Sequence, residues 1–116
     1  MLSKGHAYEQ IAEKYLYQQG CKIKDRNYHI RKGEIDLIVL DNTTLVFVEV
    51  RYRKNSRFGT PEETITKRKQ DKINLTAQHY IAKFNLWHTN ARFDVVSIKP
   101  TARGDIEINW IKNAFS

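Results

Sequence analysis

The sequence predicts one α/β domain in which helices cover a mixed sheet. The chain has 116 residues, of which 41% are hydrophobic, enough for one core. Two strongly apolar strands follow each other in "GEIDLIVLDNTTLVFVEVRYRK", and a helical pattern precedes and follows them. We therefore expect residues 1–116 to form a single domain with elements in the order αβββαββ.

The first half of the chain predicts a helix and three strands. Ser3–Gln19 has apolar residues at helical spacing, and Gly20 follows as the expected C-terminal cap. Cys21–Ile30 is a weaker strand candidate. Glu34–Leu40 and Leu45–Arg53 are rich in Ile, Val, Leu and Phe, and "DNTT" between them has the composition of a hairpin turn.

The second half predicts a helix and two strands. Thr60 can cap a helix, and Glu63 completes a capping box, so the second helix is expected to run from here to about Phe84. Arg92–Lys99 alternates polar and apolar residues as a strand does, and Asp105–Ile111 is predicted as the last strand. Three sequential strands, then a helix and two strands, favour a mixed sheet.

Charge and composition narrow the function. Twenty Lys and Arg against 13 Asp and Glu give a net charge of +7, which favours an anionic partner such as nucleic acid. No apolar signal segment stands at the N-terminus, and no apolar run approaches the roughly 18 residues that span a bilayer. A cytoplasmic protein with no membrane partner is expected. Cys21 is the only cysteine, so we expect a buried small side chain and no disulfide.

Other chemistries lack their motifs. The chain has no P-loop, no Gly-x-Ser-x-Gly elbow and no dinucleotide fingerprint. Its four histidines show no close pairing of the kind that binds zinc. The aromatic residues are spread along the chain, and the two tryptophans are expected in the core or at its boundary: Trp87 and Trp110.

Each of the two strongest strands contains a carboxylate, Asp36 in the first and Glu49 in the second. If residues 42 and 43 form the hairpin tip, Asp36 lies directly across from Glu49, and Glu34 across from Arg51. Like charges at directly opposed positions destabilise a sheet. A shared proton, a cationic side chain or a metal could offset the repulsion, and oxygen ligands suit Mg²⁺ or Mn²⁺. A salt-bridge cluster without function, where the strands run out into solvent, is the alternative interpretation.

Helical geometry brings further charged residues toward the sheet. Glu9 lies at the edge of the apolar stripe of the first helix and can reach the sheet, whereas Glu13 is turned further toward solvent. In the second helix Lys69 falls on the buried stripe, and Lys72 lies at its margin. In the alternative interpretation Glu9 and the two lysines only extend their charged groups into water.

Four segments together resemble a known family. "HAYEQIA", "GEIDLI", "FVEVRYR" and "RFDVV" resemble the YraN family of small bacterial proteins, which is similar in turn to archaeal Holliday-junction resolvases and the PD-(D/E)XK nuclease superfamily. The resemblance covers nearly the whole chain. It implies a three-layer restriction-endonuclease-like fold and an Mg²⁺- or Mn²⁺-dependent endonuclease that acts on DNA phosphodiester bonds, with branched or structured DNA as a candidate substrate.

The resemblance also implies roles for individual residues. Asp36 and Glu49 would hold the metal, with Glu9 assisting from the first helix. Arg51 stands where the superfamily has lysine; it would stabilise charge on the phosphate but could not act as a general base. Lys69 is the alternative source of that charge, and Arg51 is preferred because it shares a strand face with Glu49. The secondary candidates are Glu34 and Asn27.

Basic residues near these motifs predict a phosphate-binding surface, which would orient a duplex without reading its sequence. Two alternatives from other classes stay open: a non-catalytic nucleic-acid binding module with a degenerate active site, and a protein-interaction adaptor whose charge is incidental. The number of subunits is also open, with a homodimer as one arrangement. The predicted surface consists of Arg53, Lys54, Arg57, Lys67, Arg68, Lys69 and Lys72.

Overall fold

The computed structural model describes residues 4–54, 59–60 and 62–116, and it has the predicted element order. The helices and strands are α1 (Lys4–Gln18), β1 (Lys22–Ile30), β2 (Gly33–Asp41), β3 (Thr44–Tyr52), α2 (Lys67–Lys83), β4 (Ala91–Pro100) and β5 (Ile106–Phe115), with a 3₁₀ turn at Glu62–Thr64. The strands form one sheet in the order β1-β2-β3-β4-β5. β3 and β4 run parallel, and the other neighbours are antiparallel, so the predicted mixed sheet is confirmed.

One helix covers each face of the sheet, which makes three layers. On the face under α1, Leu16 belongs to a buried cluster with Val48. On the face under α2, Tyr80 belongs to a second cluster with Ile35 and Phe47. Burial of one side chain such as Phe47, 1% exposed, contributes roughly 1.5–3 kcal/mol to folding. The two clusters fix both helices against the sheet.

The second helix begins later than predicted. The capping box is present, because Glu63 Oε2 accepts a hydrogen bond from the Thr60 N–H at 3.0 Å and the Thr60 hydroxyl accepts one from the Glu63 N–H at 3.4 Å. However, the box caps the N-terminus of the 3₁₀ turn Glu62–Thr64, and α2 starts only at Lys67, with Thr66 as its N-cap. Two successive capping signals stand in the sequence, and the second one begins the α-helix.

The β2–β3 hairpin keeps the predicted register over only part of its length. Backbone pairs run from Asp41 opposite Thr44 to Leu37 opposite Val48, around a tip where Asn42 has a φ of +56°. The ladder ends at the pair of Leu37 and Val48, and Asp36 is the next residue of β2 away from the tip. Two predicted direct oppositions are therefore wrong: Asp36 with Glu49, and Glu34 with Arg51.

The strand alternation of β2 reverses at Asp36, which explains why the ladder ends. Ile35 packs on the α2 face and Leu37 on the α1 face, although residues two apart in a regular strand share a face. β1 is irregular at the same level, because Asn27, whose position lies opposite Asp36, has a left-handed φ of +49°. Asp36 Oδ2 then accepts a hydrogen bond from the Val50 N–H at 2.8 Å. A side-chain acceptor thus takes the position that a backbone carbonyl of β2 would occupy.

The burial of Cys21 and Trp110 agrees with the sequence predictions, and that of Trp87 does not. Cys21 is buried, 3% exposed, as predicted. Trp110 is half-buried and packs at the edge of the α1 cluster, whereas Trp87 is 62% exposed, so its predicted burial is wrong. Neither α1 nor α2, the helices of the described residues, has the length and apolar content of a bilayer-crossing helix.

A buried carboxylate, Asp94, links β4 to other strands of the sheet. Asp94 is 0% exposed and accepts hydrogen bonds from Arg92 Nε at 2.9 Å, from the indole N–H of Trp110 at 2.8 Å and from the backbone N–H of Asn113 at 2.9 Å. Arg92 also donates to Asp41 at 2.7 Å. The network joins β4 to β5 and, through Arg92, to β2.

We expect Asp94→Ala to lower the free energy of unfolding by roughly 3–5 kcal/mol, because it removes one of the two carboxylates that pair with Arg92 and leaves the N–H donors of Trp110 and Asn113 without their acceptor. Urea denaturation measures the loss. Lys99→Ala on the same strand is the control: its exposed pair with Glu107 at 3.9 Å should change stability by less than about 0.5 kcal/mol. Equal losses in the two variants would contradict the structural role of Asp94.

Candidate functional site

The two carboxylates of the hairpin meet at the end of the sheet where β2 begins and β3 ends. Glu49 is 7% exposed and points to the α2 face, and Asp36 is half-buried and oriented by the Val50 N–H. The structure therefore brings the two predicted acids together at a point where the strands no longer pair.

Burial raises the pKa values of both acids, and neighbouring carboxylates add to the rise. Burial raises the pKa of Asp36 to about 7, and the neighbouring Glu49 carboxylate adds to the rise, while the Val50 N–H opposes it. Burial also raises the pKa of Glu49, against the opposing charges of Lys69 and Arg51. The two acids titrate together, and near neutral pH the pair retains part of a proton.

Glu9 and Glu34 complete an acidic cluster with Asp36 and Glu49. Glu9 reaches it from α1, and its Oε1 atom is buried without a hydrogen-bond partner among the described residues. Burial raises the pKa of Glu9, and a hydrogen bond with the Asn27 side chain acts against that rise. Glu34 is exposed, and its charge raises the pKa of each of the other three acids. Both secondary candidates, Glu34 and Asn27, thus lie at the cluster.

Two cations border the acidic cluster, and the nearer one comes from α2. Lys69 Nζ lies 3.8 Å from Glu49 Oε1. Arg51 Nη2 lies 3.4 Å from the hydroxyl of Thr64, although its charge also lowers the pKa of Glu49. Sequence reasoning preferred Arg51 to Lys69 because of the shared strand face, but the ion pair with Glu49 is made by Lys69.

A metal site is not fully formed in this arrangement. Among the residues that the structure describes, no three His, Cys, Asp or Glu side chains are grouped as a ready-made metal site. The set predicted from the family, Asp36, Glu49 and Glu9, therefore stays a prediction. Two carboxylates still suit Mg²⁺, which usually keeps several waters and takes further oxygens from a phosphate.

Four of the seven predicted phosphate-binding residues are exposed, and one of these four, Lys67, pairs with Asp71 at 3.1 Å. Arg53 follows β3, and its guanidinium donates to the carbonyl of Gly59 at 2.5 Å. Arg57 lies outside the described residues. Lys69 is half-buried at the acidic cluster, and the others are exposed: Lys54, Lys67, Arg68 and Lys72.

Sequence reasoning missed two basic residues, Arg31 and Lys32, in the turn between β1 and β2. They line a groove of about 390 Å³ whose other side is formed by Lys69 and Lys72 of α2. The residues "RKG" indicate only a turn in the sequence. Their place beside α2 follows from the packing of that helix on the sheet, which no local pattern reports. We call this the basic groove; its wall also includes Glu34.

We expect the protein to become more stable as the pH falls from 8 to 5 in the presence of EDTA. Between the ordinary Asp pKa of 3.8 and the folded value of about 7, the folded protein binds more protons than the unfolded chain, so stability falls as pH rises. One pKa unit is worth about 1.4 kcal/mol, so Tm should be higher by about 5 °C or more at pH 5.

Thermal unfolding of Asp36→Asn checks the source of this dependence. The variant should be as stable as the wild type or more stable at pH 8, and its pH dependence should be flatter. Asp105→Asn, in the exposed turn before β5, is the matched control and should keep the wild-type dependence. An unchanged slope in Asp36→Asn would assign the titration to other groups.

Comparison with solved structures gives a distant likeness. The structure of Pyrococcus furiosus SfsA in complex with Ca²⁺ is similar over 93% of this chain, with a TM-score of 0.37 and 15% sequence identity. The chain spans 62% of the SfsA chain, less than two thirds of its length.

Comparison with curated sequences gives close relatives over nearly the whole chain. UPF0102 proteins of Vibrio parahaemolyticus and Nitrosococcus oceani are each 44% identical over 113 residues, and one of Psychromonas ingrahamii is 47% identical over 113 residues. The alignments cover 97% of this chain and 89–91% of each relative. The sequence model described as "Uncharacterised protein family UPF0102" matches residues 8–98. The resemblance to the YraN family, which is UPF0102, is thereby confirmed, and the chain belongs to this family.

Proposed function

We propose that this protein is a metal-dependent endonuclease that cleaves phosphodiester bonds in DNA, with branched or structured DNA as its substrate. The observation that carries the proposal is the burial of Asp36 and Glu49 together, with raised pKa values, at an end of the sheet bordered by cations. Two buried acids that repel each other destabilise a fold, and such arrangements concentrate at functional sites.

The residues present fit a divalent cation. Asp36 and Glu49 would hold Mg²⁺ or Mn²⁺, and Glu9 would add a ligand or hold a water. Two observations support the fit: a divalent cation would relieve the repulsion between neighbouring carboxylates that adds to the effect of burial on the pKa values of Asp36 and Glu49, and the buried Oε1 of Glu9 lacks a partner among the described residues. The bound metal would lower the pKa of a water molecule and stabilise charge on the scissile phosphate.

The other side chains of the site have positioning and electrostatic roles. The Val50 N–H fixes the orientation of the Asp36 carboxylate through its 2.8 Å hydrogen bond. Lys69 lies 3.8 Å from Glu49 and supplies a positive charge where negative charge grows on the phosphate. Arg51 adds a second positive charge. The exposed lysines of α2 would hold the flanking DNA through its phosphates.

A non-catalytic nucleic-acid binding module is the second candidate. Arg51 stands in the place of the superfamily lysine, and the described acids are not grouped as a complete metal site. Such a module would keep the basic surface and the net charge of +7 but would have no turnover. Metal-dependent cleavage separates the two candidates.

We expect Mg²⁺ or Mn²⁺ to raise Tm, and Asp36→Asn and Glu49→Gln each to abolish that rise. At a free ion concentration about 100 times the Kd, linkage gives about 2.7 kcal/mol of added stability. Differential scanning fluorimetry with and without EDTA measures it. Glu107→Gln, which removes an exposed acid of β5, is the matched control and should respond as the wild type does. A metal-dependent rise that survives in both site variants would mean that the ion binds elsewhere.

We expect Lys69→Ala to reduce Mn²⁺-dependent nicking of four-way DNA by roughly 10²-fold, because it removes the charge nearest Glu49. Arg51→Lys should retain activity, and Arg51→Ala should be milder than Lys69→Ala. Lys83→Ala, in the last turn of α2, makes the same charge change away from the acids and serves as the control.

A gel assay on duplex, single-stranded and four-way DNA compares these variants. A severe loss in Arg51→Ala with a mild one in Lys69→Ala would return the electrostatic role to Arg51. No cleavage by any of the proteins, with DNA binding intact, would rule out the enzyme and leave the binding module.

A further inference from the structure

We propose that the basic groove holds the phosphate backbone of a single nucleic-acid strand beside the acidic cluster. The groove lies between the β1–β2 turn and α2, with Arg31 and Lys32 on one side and Lys69 and Lys72 on the other. The inference rests on the nucleic-acid part of the proposed function. It adds the substrate class: a strand separated from its complement next to the point of cleavage.

The basic groove and the acidic cluster share two residues. Lys69 lines the groove while its ammonium lies 3.8 Å from Glu49, and Glu34 lines the groove while its charge raises the pKa of Asp36. The groove therefore opens directly onto the acids. A strand whose scissile phosphate lay at the acids would carry its next phosphates into the groove.

The lining of the groove matches a nucleotide chain. Four cations stand against one acid, Glu34, and the arginine side chain can bind a phosphate through two parallel hydrogen bonds. Ile30 and Ile73 also line the groove, which gives an apolar surface for a sugar or a base between the charged groups. An acidic peptide would use the charges but not this apolar surface.

The size of the groove favours one strand over a duplex. Its volume of about 390 Å³ lies at the lower end of the roughly 300–1,000 Å³ found for small-ligand sites. A short piece of one strand fits a space of this size, whereas a base-paired helix would have to stay outside it.

The β1–β2 turn comes very close to α2 at Gly33. A Cβ atom at this position would lie 2.6 Å from Thr76 Oγ1 and 2.8 Å from the carbonyl oxygen of Lys72. Only a residue without a side chain lets the turn come this near to α2. The backbone that carries Arg31 and Lys32 is thereby placed beside α2, which lowers the ordering cost of binding a strand.

The test measures binding of oligothymidylate to the full chain in EDTA, so its result does not depend on cleavage. Arg31→Ala with Lys32→Ala removes two charges from the groove. Lys22→Ala with Lys24→Ala removes two exposed charges from the far part of β1 and is the matched control. The groove variant should lose about 1.4 from the slope of log affinity against log salt, since each phosphate contact of a single strand contributes about 0.7. The control should keep the wild-type slope.

Two further measurements test whether a strand occupies the basic groove. Amide NMR signals of residues 31–33 and 69–73 should shift with oligothymidylate, and duplex DNA should bind the groove variant as well as it binds the wild type. Equal slopes in the two double variants, shifts confined to other residues, or equal competition by polyglutamate would overturn the inference. A protein that binds the strand in its groove but never cleaves DNA would reject only the enzymatic proposal.

Discussion

The burial of two like charges, Asp36 and Glu49, is the constraint on which the rest of this end of the molecule depends. The paired ladder of β2 and β3 ends at Leu37, and the Asp36 side chain takes its hydrogen bond from Val50 instead of leaving it to the backbone. Lys69 then approaches from α2 to oppose the charge of Glu49. α2 and the adjoining ends of β2 and β3 thus surround two like charges, and Lys69 reduces their repulsion only in part.

Sequence reasoning predicted the element order, the hairpin register as far as Leu37 and the meeting of the acids, because alternation, turn composition and capping are local signals. It could not predict that a side chain would replace a ladder bond at Asp36, since no pattern of residue types reports that substitution. The late start of α2 had a local signal at Thr66, but an equally good one stood at Thr60. The basic groove had none, because Arg31 meets α2 only through tertiary packing.

The sheet compensates two of its carboxylates, Asp94 and Asp36, to different degrees. Asp94 is surrounded by an arginine, an indole N–H and a backbone N–H, so its burial is fully compensated and stabilises the junction of β4 and β5. Among the residues that the structure describes, Asp36 has one such donor, and it has a like-charged neighbour. The stability gained around Asp94 can offset the repulsion at Asp36. A fold needs only a net surplus of stability and can keep an unfavourable local group that serves function.

Gly33 shows that a glycine in a turn can be needed for close packing and not for a left-handed backbone. The residue ends a turn, where glycine is usually explained by a left-handed backbone, yet the left-handed φ values of described glycines belong to Gly20, Gly59 and Gly104. Gly33 instead allows a close approach, because its missing Cβ leaves room for the carbonyl of Lys72 next to the turn. Gly33→Asn, the usual replacement for a turn glycine, would preserve the β1–β2 turn but would push that turn and α2, the two walls of the basic groove, apart.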